Sequence, residues 1–144
     1  MRVVALLLFV LALFVAIFPQ FYTCQSHGFT ITLPKGTMPM RCLWAAHAEA
    51  TLGTILAVVA AGMWFLRDKE TREILSVLGI LIGFAILMMA TRFLFGIGVC
   101  VNPDMPCVVY MRPAVYTVAP LIIIISAVGL AMNLVTFKPG KLRE

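Results

Sequence analysis

Four cysteines, Cys24, Cys42, Cys100 and Cys107, hold most of the reactive chemistry of this chain. Thiols in even number have three uses. Oxidised in pairs they are structural bridges; closely spaced, with one pKa depressed, they pass electrons to other thiols; gathered around a soft cation they are ligands. Cys24 and Cys42 are 18 positions apart, and Cys100 and Cys107 are 7 apart. Neither separation is the Cys-x-x-Cys of a redox pair. The simplest assignment is two structural disulfides, Cys24 with Cys42 and Cys100 with Cys107, each joining the two ends of one connector. Closing the first loop stabilises by roughly 3 kcal/mol if the gain is loop entropy. The two cross-connector pairings are the remaining alternatives.

The run MPMRCLWAAHAE, residues 38–49, surrounds the second cysteine with further functional groups. Trp44 is placed to anchor a helix at a membrane interface, where its amphipathic ring is favoured. Glu49 lies five residues further on, about 7 Å deeper at 1.5 Å per residue. Arg92 falls at a similar depth on a later segment running the other way, so an intramembrane Glu49–Arg92 ion pair is expected, since charges inside a span usually pair. His47 points about 160° away from Glu49 around a helix. No second histidine or carboxylate is spaced to share a metal with it. A soft-metal site using His47, Met38, Met40, Met105 and the cysteines is conceivable, but methionine in such a chain is ordinary filler. No metal, cofactor or catalytic residue is expected.

The elements that position these residues follow from composition. The 144 residues are 62% hydrophobic and 12% charged, with a mean hydropathy of +1.06. A soluble domain is near a quarter charged. Four stretches, 3–18, 44–66, 74–99 and 114–137, are long and apolar enough to cross a bilayer. Residues 19–43 and 100–113 remain as the longer connectors. Arg2 before the first apolar run resembles the start of a signal peptide, but no small-x-small cleavage site follows. Arg2, Arg67, Lys69, Arg72, Lys138, Lys141 and Arg143 fall on one side, against Lys35, Arg41 and Arg112 on the other. The basic side is retained in the cytoplasm. The expected architecture is therefore an all-α integral membrane domain spanning 1–144. Its four transmembrane helices form two antiparallel hairpins in the plasma membrane, with both termini cytoplasmic and two disulfide-containing loops outside. The net charge of +5 is explained by this bias and contact with anionic lipid, without nucleic acid. Gly79 and Gly83 at four-residue spacing, with Gly53 and Ala57 on the second span, mark surfaces for close helix packing.

The cysteine after the first span, MPMRCLWAAHAE entering the second, GVC leaving the third and MPC before the fourth resemble bacterial membrane proteins of domain-of-unknown-function family 4418. The resemblance covers nearly the whole chain. Met40, Cys42, Trp44, Ala48 and Glu49 match that family's Met-x-Cys-His-Trp run into Ala-Glu; Leu43 departs from it where the family has histidine. The resemblance implies no activity. The proximity of some members to ATP-driven transporter components implies an accessory role.

Three classes of function compete. The first is a non-enzymatic subunit of a larger membrane complex with disulfide-tied outer loops. The second is a four-helix thiol oxidoreductase linked to a quinone, which the cysteine spacing disfavours. The third is a small-solute transporter or a soft-metal handling protein; a transporter is disfavoured by the scarcity of polar groups at mid-span. No phosphate-binding loop, nucleophile triad or zinc-ligand spacing is present, so no nucleotide partner is expected. The expected partners are lipid and other membrane subunits.

Overall fold

A computed structural model describes residues 2–28, 30–34, 36–38, 40–66, 68–91, 96–98, 100 and 102–135. Four helices dominate: α1 (Arg2–Phe21), α2 (Arg41–Phe65), α3 (Lys69–Ala90) and α4 (Arg112–Val135). The last continues a π-helical turn at Cys107–Met111, and the whole segment Cys107–Val135 is helical. All four segments are long and apolar enough to cross a membrane. The chain is a multi-pass membrane protein.

The helices alternate in direction. The end of α1, the start of α2, the segment after α3 and the start of the α4 segment meet at one end, where their cysteine sulfurs lie together. At the other end, a Cβ placed on Gly129 of α4 would lie 3.1 Å from Val4 of α1 and 3.9 Å from Met63 of α2. The most extensive contacts are α1 on α2 and α3 on α4, and the two pairs join through α2–α3 and α1–α4. Between the ends runs a core that includes Leu8, Val15, Leu56, Ile86 and Ile122.

Outward-facing apolar residues such as Leu6, Val58, Leu81 and Ile124 remain exposed, as a lipid-facing surface requires. Trp44 and Trp64, near opposite ends of α2, are also exposed. Twenty residues of helix separate them by about 30 Å, the thickness of a bilayer's hydrocarbon core. The cysteines lie at the end of the bundle where α2 starts.

Helix boundaries depart from the hydropathy reading in instructive ways. Pro19 lies inside α1, which runs on to Phe21 because the proline removes a single amide donor close to the helix end. The side chain of Gln20 then ties this last turn to α2, its Nε2 donating to the Ala46 carbonyl at 3.0 Å. α3 starts at Lys69 within the polar stretch expected as a connector. Lys69, Glu70, Arg72 and Glu73 are good helix formers, and hydropathy does not register a helix that begins in water. The turn before α3 is closed by Arg72, whose Nε donates to the Leu66 carbonyl at 2.9 Å. At its far end α3 stops at Ala90, not near Val99, where the Thr91 amide and hydroxyl both bond to the Met88 carbonyl.

The first long connector contains a two-stranded antiparallel hairpin, β1 (Ile31–Leu33) with β2 (Gly36–Met38), in which Ile31 faces Met38 and Leu33 faces Gly36. The sequence reading held no strand here. Thr30, Ile31 and Thr32 are β-branched, which favours extended backbone, and Gly36 supplies the positive φ of 145° at the reversal.

Candidate functional site: a four-cysteine cluster

Each cysteine reaches the site from a different element. Cys24 follows α1 by three residues and opens a 3-10 turn, Gln25–His27, that ends on Gly28 with φ 81°. The turn is pinned by Ser26, whose amide bonds to Thr23 Oγ1 at 3.1 Å and whose hydroxyl donates to the Thr23 carbonyl at 2.6 Å. Cys42 is the second residue of α2. Cys100 lies in the second connector, after a reversal in which the Gly98 amide, at φ 69°, returns to the Met89 carbonyl. Cys107 opens the helical segment that becomes α4, after an Asx turn in which the Asp104 amide bonds to Asn102 Oδ1.

The four Sγ atoms all lie within 4.8 Å of one another. Two neighbours of Cys24 Sγ belong to the second hairpin, Cys107 at 3.2 Å and Cys100 at 3.5 Å. The Cys24 amide donates to Cys42 Sγ at 3.4 Å. Cys24, Cys42 and Cys107 have no exposed surface, and Cys100 is half-buried.

The expected disulfides, Cys24–Cys42 and Cys100–Cys107, are not present: all four cysteines are free thiols. A disulfide requires its sulfurs about 2.05 Å apart. Pairing by connector treated the two connectors as separate, whereas the fold brings their cysteines together and makes one centre of four.

Burial pushes the Cys24 thiol far above the usual thiol range, helped by the thiol–thiol hydrogen bonds it makes to Cys42, Cys107 and Cys100. Cys100 is pushed up to about 12, chiefly by burial and then by its hydrogen bond with Cys107. Neither is an activated nucleophile. Cys42 and Cys107 each occupy the first turn of a long helical segment, where backbone amides are free of intrahelical partners.

Aromatic rings buttress this end. Phe14 stacks on Phe18 at 4.6 Å between centroids, Phe18 meets Tyr22 at 4.7 Å, and Tyr22 meets Tyr110 of the π-helical turn at 5.1 Å. The series runs up α1 and crosses to the second hairpin beside the cysteines.

The remaining residues singled out from sequence are dispersed. Glu49 is fully buried seven residues past Cys42, on the same face of α2 and about 10 Å deeper. Neither of its carboxylate oxygens has a hydrogen-bond partner among the described residues. Arg92, its expected partner, lies outside the described residues. His47 and Met38 are exposed, so they do not join the cluster. A Cβ on Gly53 would lie 2.7 Å from the Ala16 amide nitrogen and 2.9 Å from the Ala12 carbonyl, so α1 and α2 touch backbone to backbone. Gly79 faces Ser126, Gly83 faces Ile122 and Ile123, and Ala57 is half-buried.

Residues 3–132 match the family model of a domain of unknown function, DUF4418. The chain belongs to this family. Comparison with curated proteins and with solved structures finds no match. The DUF4418 match runs from the start of α1 nearly to the end of α4 and includes all four cysteines. Convergence across the two hairpins is what sequence reasoning missed. A signal for it was present, in that all four cysteines sit at span ends on the same side of a bundle only four helices wide.

Proposed function

We propose that this chain is a non-enzymatic accessory subunit of a larger membrane complex. It resides in the plasma membrane with both termini cytoplasmic and the cysteine cluster on the outer face. The observation that carries the reading is the burial of the cluster. Three of its four sulfurs have no exposed surface, so a protein thiol or disulfide can reach at most Cys100, whose thiol is pushed up to about 12 by burial and is therefore a poor exchange partner. Such a centre braces the outer end of the bundle, where it joins both hairpins; it is poorly built for turnover. The distribution of basic residues supports the orientation. The buried polar side chains include Glu49, Ser76 and Ser126. Of these, Ser76 is tied to its own helix through the Arg72 carbonyl, which speaks for packing over a conduction path.

One observation favours the thiol oxidoreductase as a second reading: sulfurs within 4.8 Å of one another are close enough to exchange partners with little backbone movement. Purification from native membranes in mild detergent separates the two. An accessory subunit is recovered with a larger membrane protein at fixed stoichiometry and does not reduce quinone from a dithiol donor. Turnover by the isolated chain, lost on Cys100→Ser, overturns the accessory reading.

A further inference from the structure

We propose that the four-cysteine cluster is a binding site for one divalent d10 cation of the zinc type, held by Cys24, Cys42, Cys100 and Cys107 as a tetrathiolate. The site stands on geometry and does not depend on the accessory role.

Four-coordinate zinc takes sulfur ligands at about 2.3 Å in a tetrahedron, which sets the ligands about 3.8 Å from one another. In this chain the sulfur–sulfur contacts bracket that edge, from 3.2 Å between Cys24 and Cys107 to an upper bound of 4.8 Å. Small side-chain rotations therefore suffice to regularise the set. Each ligand comes from a different element, so a bound cation joins the end of α1, the start of α2, the second connector and the start of the α4 segment in one centre.

The surroundings fit a charged centre. Four thiols take up the cation with release of four protons, leaving a site of net charge −2. The first turns of two helices, at Cys42 and Cys107, direct amide dipoles toward that charge. The Cys24 amide already donates to Cys42 Sγ at 3.4 Å, the kind of outer hydrogen bond that orients a metal's sulfur ligand. Exclusive sulfur ligation by four cysteines selects a soft or borderline cation over magnesium or calcium. Access is through the half-buried Cys100 side, the other three sulfurs being sealed.

The full-length chain, purified in detergent under a non-thiol reductant and stripped of metal, is titrated with Co²⁺ as the optical probe. The expected result is one equivalent bound per chain with the charge-transfer and ligand-field bands of tetrahedral cobalt tetrathiolate, displaced by one equivalent of Zn²⁺. Zn²⁺ also raises the melting temperature of the wild-type chain. Cys100→Ser, altered at the least buried ligand, folds without metal and binds Co²⁺ at least about tenfold more weakly, with a shifted spectrum from the loss of one thiolate. No cobalt uptake by the reduced chain overturns the proposal, as does uptake of Cu⁺ alone or an unchanged spectrum in Cys100→Ser. All these readouts come from the isolated chain, so they are independent of whether a partner subunit co-purifies.

Discussion

Cys24 and Cys107 belong to different hairpins, 83 positions apart in sequence, yet their sulfurs are 3.2 Å from one another. The contact joins the two halves of the bundle at one end. In a Cys42→Ser, Cys100→Ser variant, mild oxidation should form a single Cys24–Cys107 crosslink. Chain cut by protease in the α2–α3 turn should then run as one species on a non-reducing gel and as two after reduction. Failure to crosslink would contradict the cross-hairpin arrangement.

At Gly53, α2 lies directly against the backbone of α1. A methyl group there meets the Ala16 amide nitrogen and the Ala12 carbonyl, backbone atoms that cannot rotate away. Gly53→Ala should therefore push the helices apart and cost about 2 kcal/mol, in the range for overpacking. Gly62→Ala, whose nearest contact is the tip of Leu75 at 3.4 Å, should be close to neutral. Unfolding in mixed micelles titrated with a denaturing detergent measures both.

Gly79 and Ser126 are coupled across α3 and α4. A Cβ on Gly79 would lie 2.7 Å from Ser126 Oγ, and that hydroxyl is buried without a hydrogen bond among the described residues. Gly79→Ala should destabilise by about 1–2 kcal/mol. Ser126→Ala alone should be neutral or stabilising, because it removes an unsatisfied polar group, and the double variant should recover most of the loss. A double-mutant cycle that sums additively would argue against the contact.

In the reduced, metal-free protein, Cys100 should alkylate slowly. A thiol raised from 9.0 to about 12 by burial is neutral at pH 8, and its thiolate appears only as pH climbs toward that value. The thiolate is scarcer but intrinsically more nucleophilic, and the net rate should be roughly 30-fold below that of an exposed cysteine. The rate should still be rising at pH 10, where an exposed thiol has levelled off. Mass spectrometry of iodoacetamide-treated protein across pH gives the profile.

The Glu49–Arg92 pair, proposed from matching depths in the sequence, is tested by charge removal. Arg92→Leu should destabilise by about 3 kcal/mol by leaving a buried carboxylate uncompensated, and Glu49→Gln in that background should restore most of it. Independent, additive losses would refute the pairing and leave Glu49 as a lone buried carboxyl group.

Much of the fold is legible in the linear pattern because the bilayer imposes a simple rule: about 20 apolar residues cross it, and their backbone must be helical. Four spans follow from that rule and the composition. Their ends do not, since Lys69–Glu73 is helical although polar and α3 ends at Ala90, short of the Val99 at which the hydropathy reading closes the third span. Hydropathy reports which solvent a residue tolerates and not where a hydrogen-bonded ladder starts or stops. The β1–β2 hairpin went unread for a related reason: three-residue strands are too short for alternation to stand out.

The sequence by itself determined that the chain lives in a membrane, how many times it crosses, its family and the clustering of its cysteines at span ends on one side. Only the tertiary structure decided which sulfurs meet. Separation along the chain favours partners within a connector. Two hairpins packed side by side, however, bring Cys107 to 3.2 Å and Cys100 to 3.5 Å from the Cys24 sulfur, because loops that seal the end of a small bundle must pack on one another to bury their apolar surface.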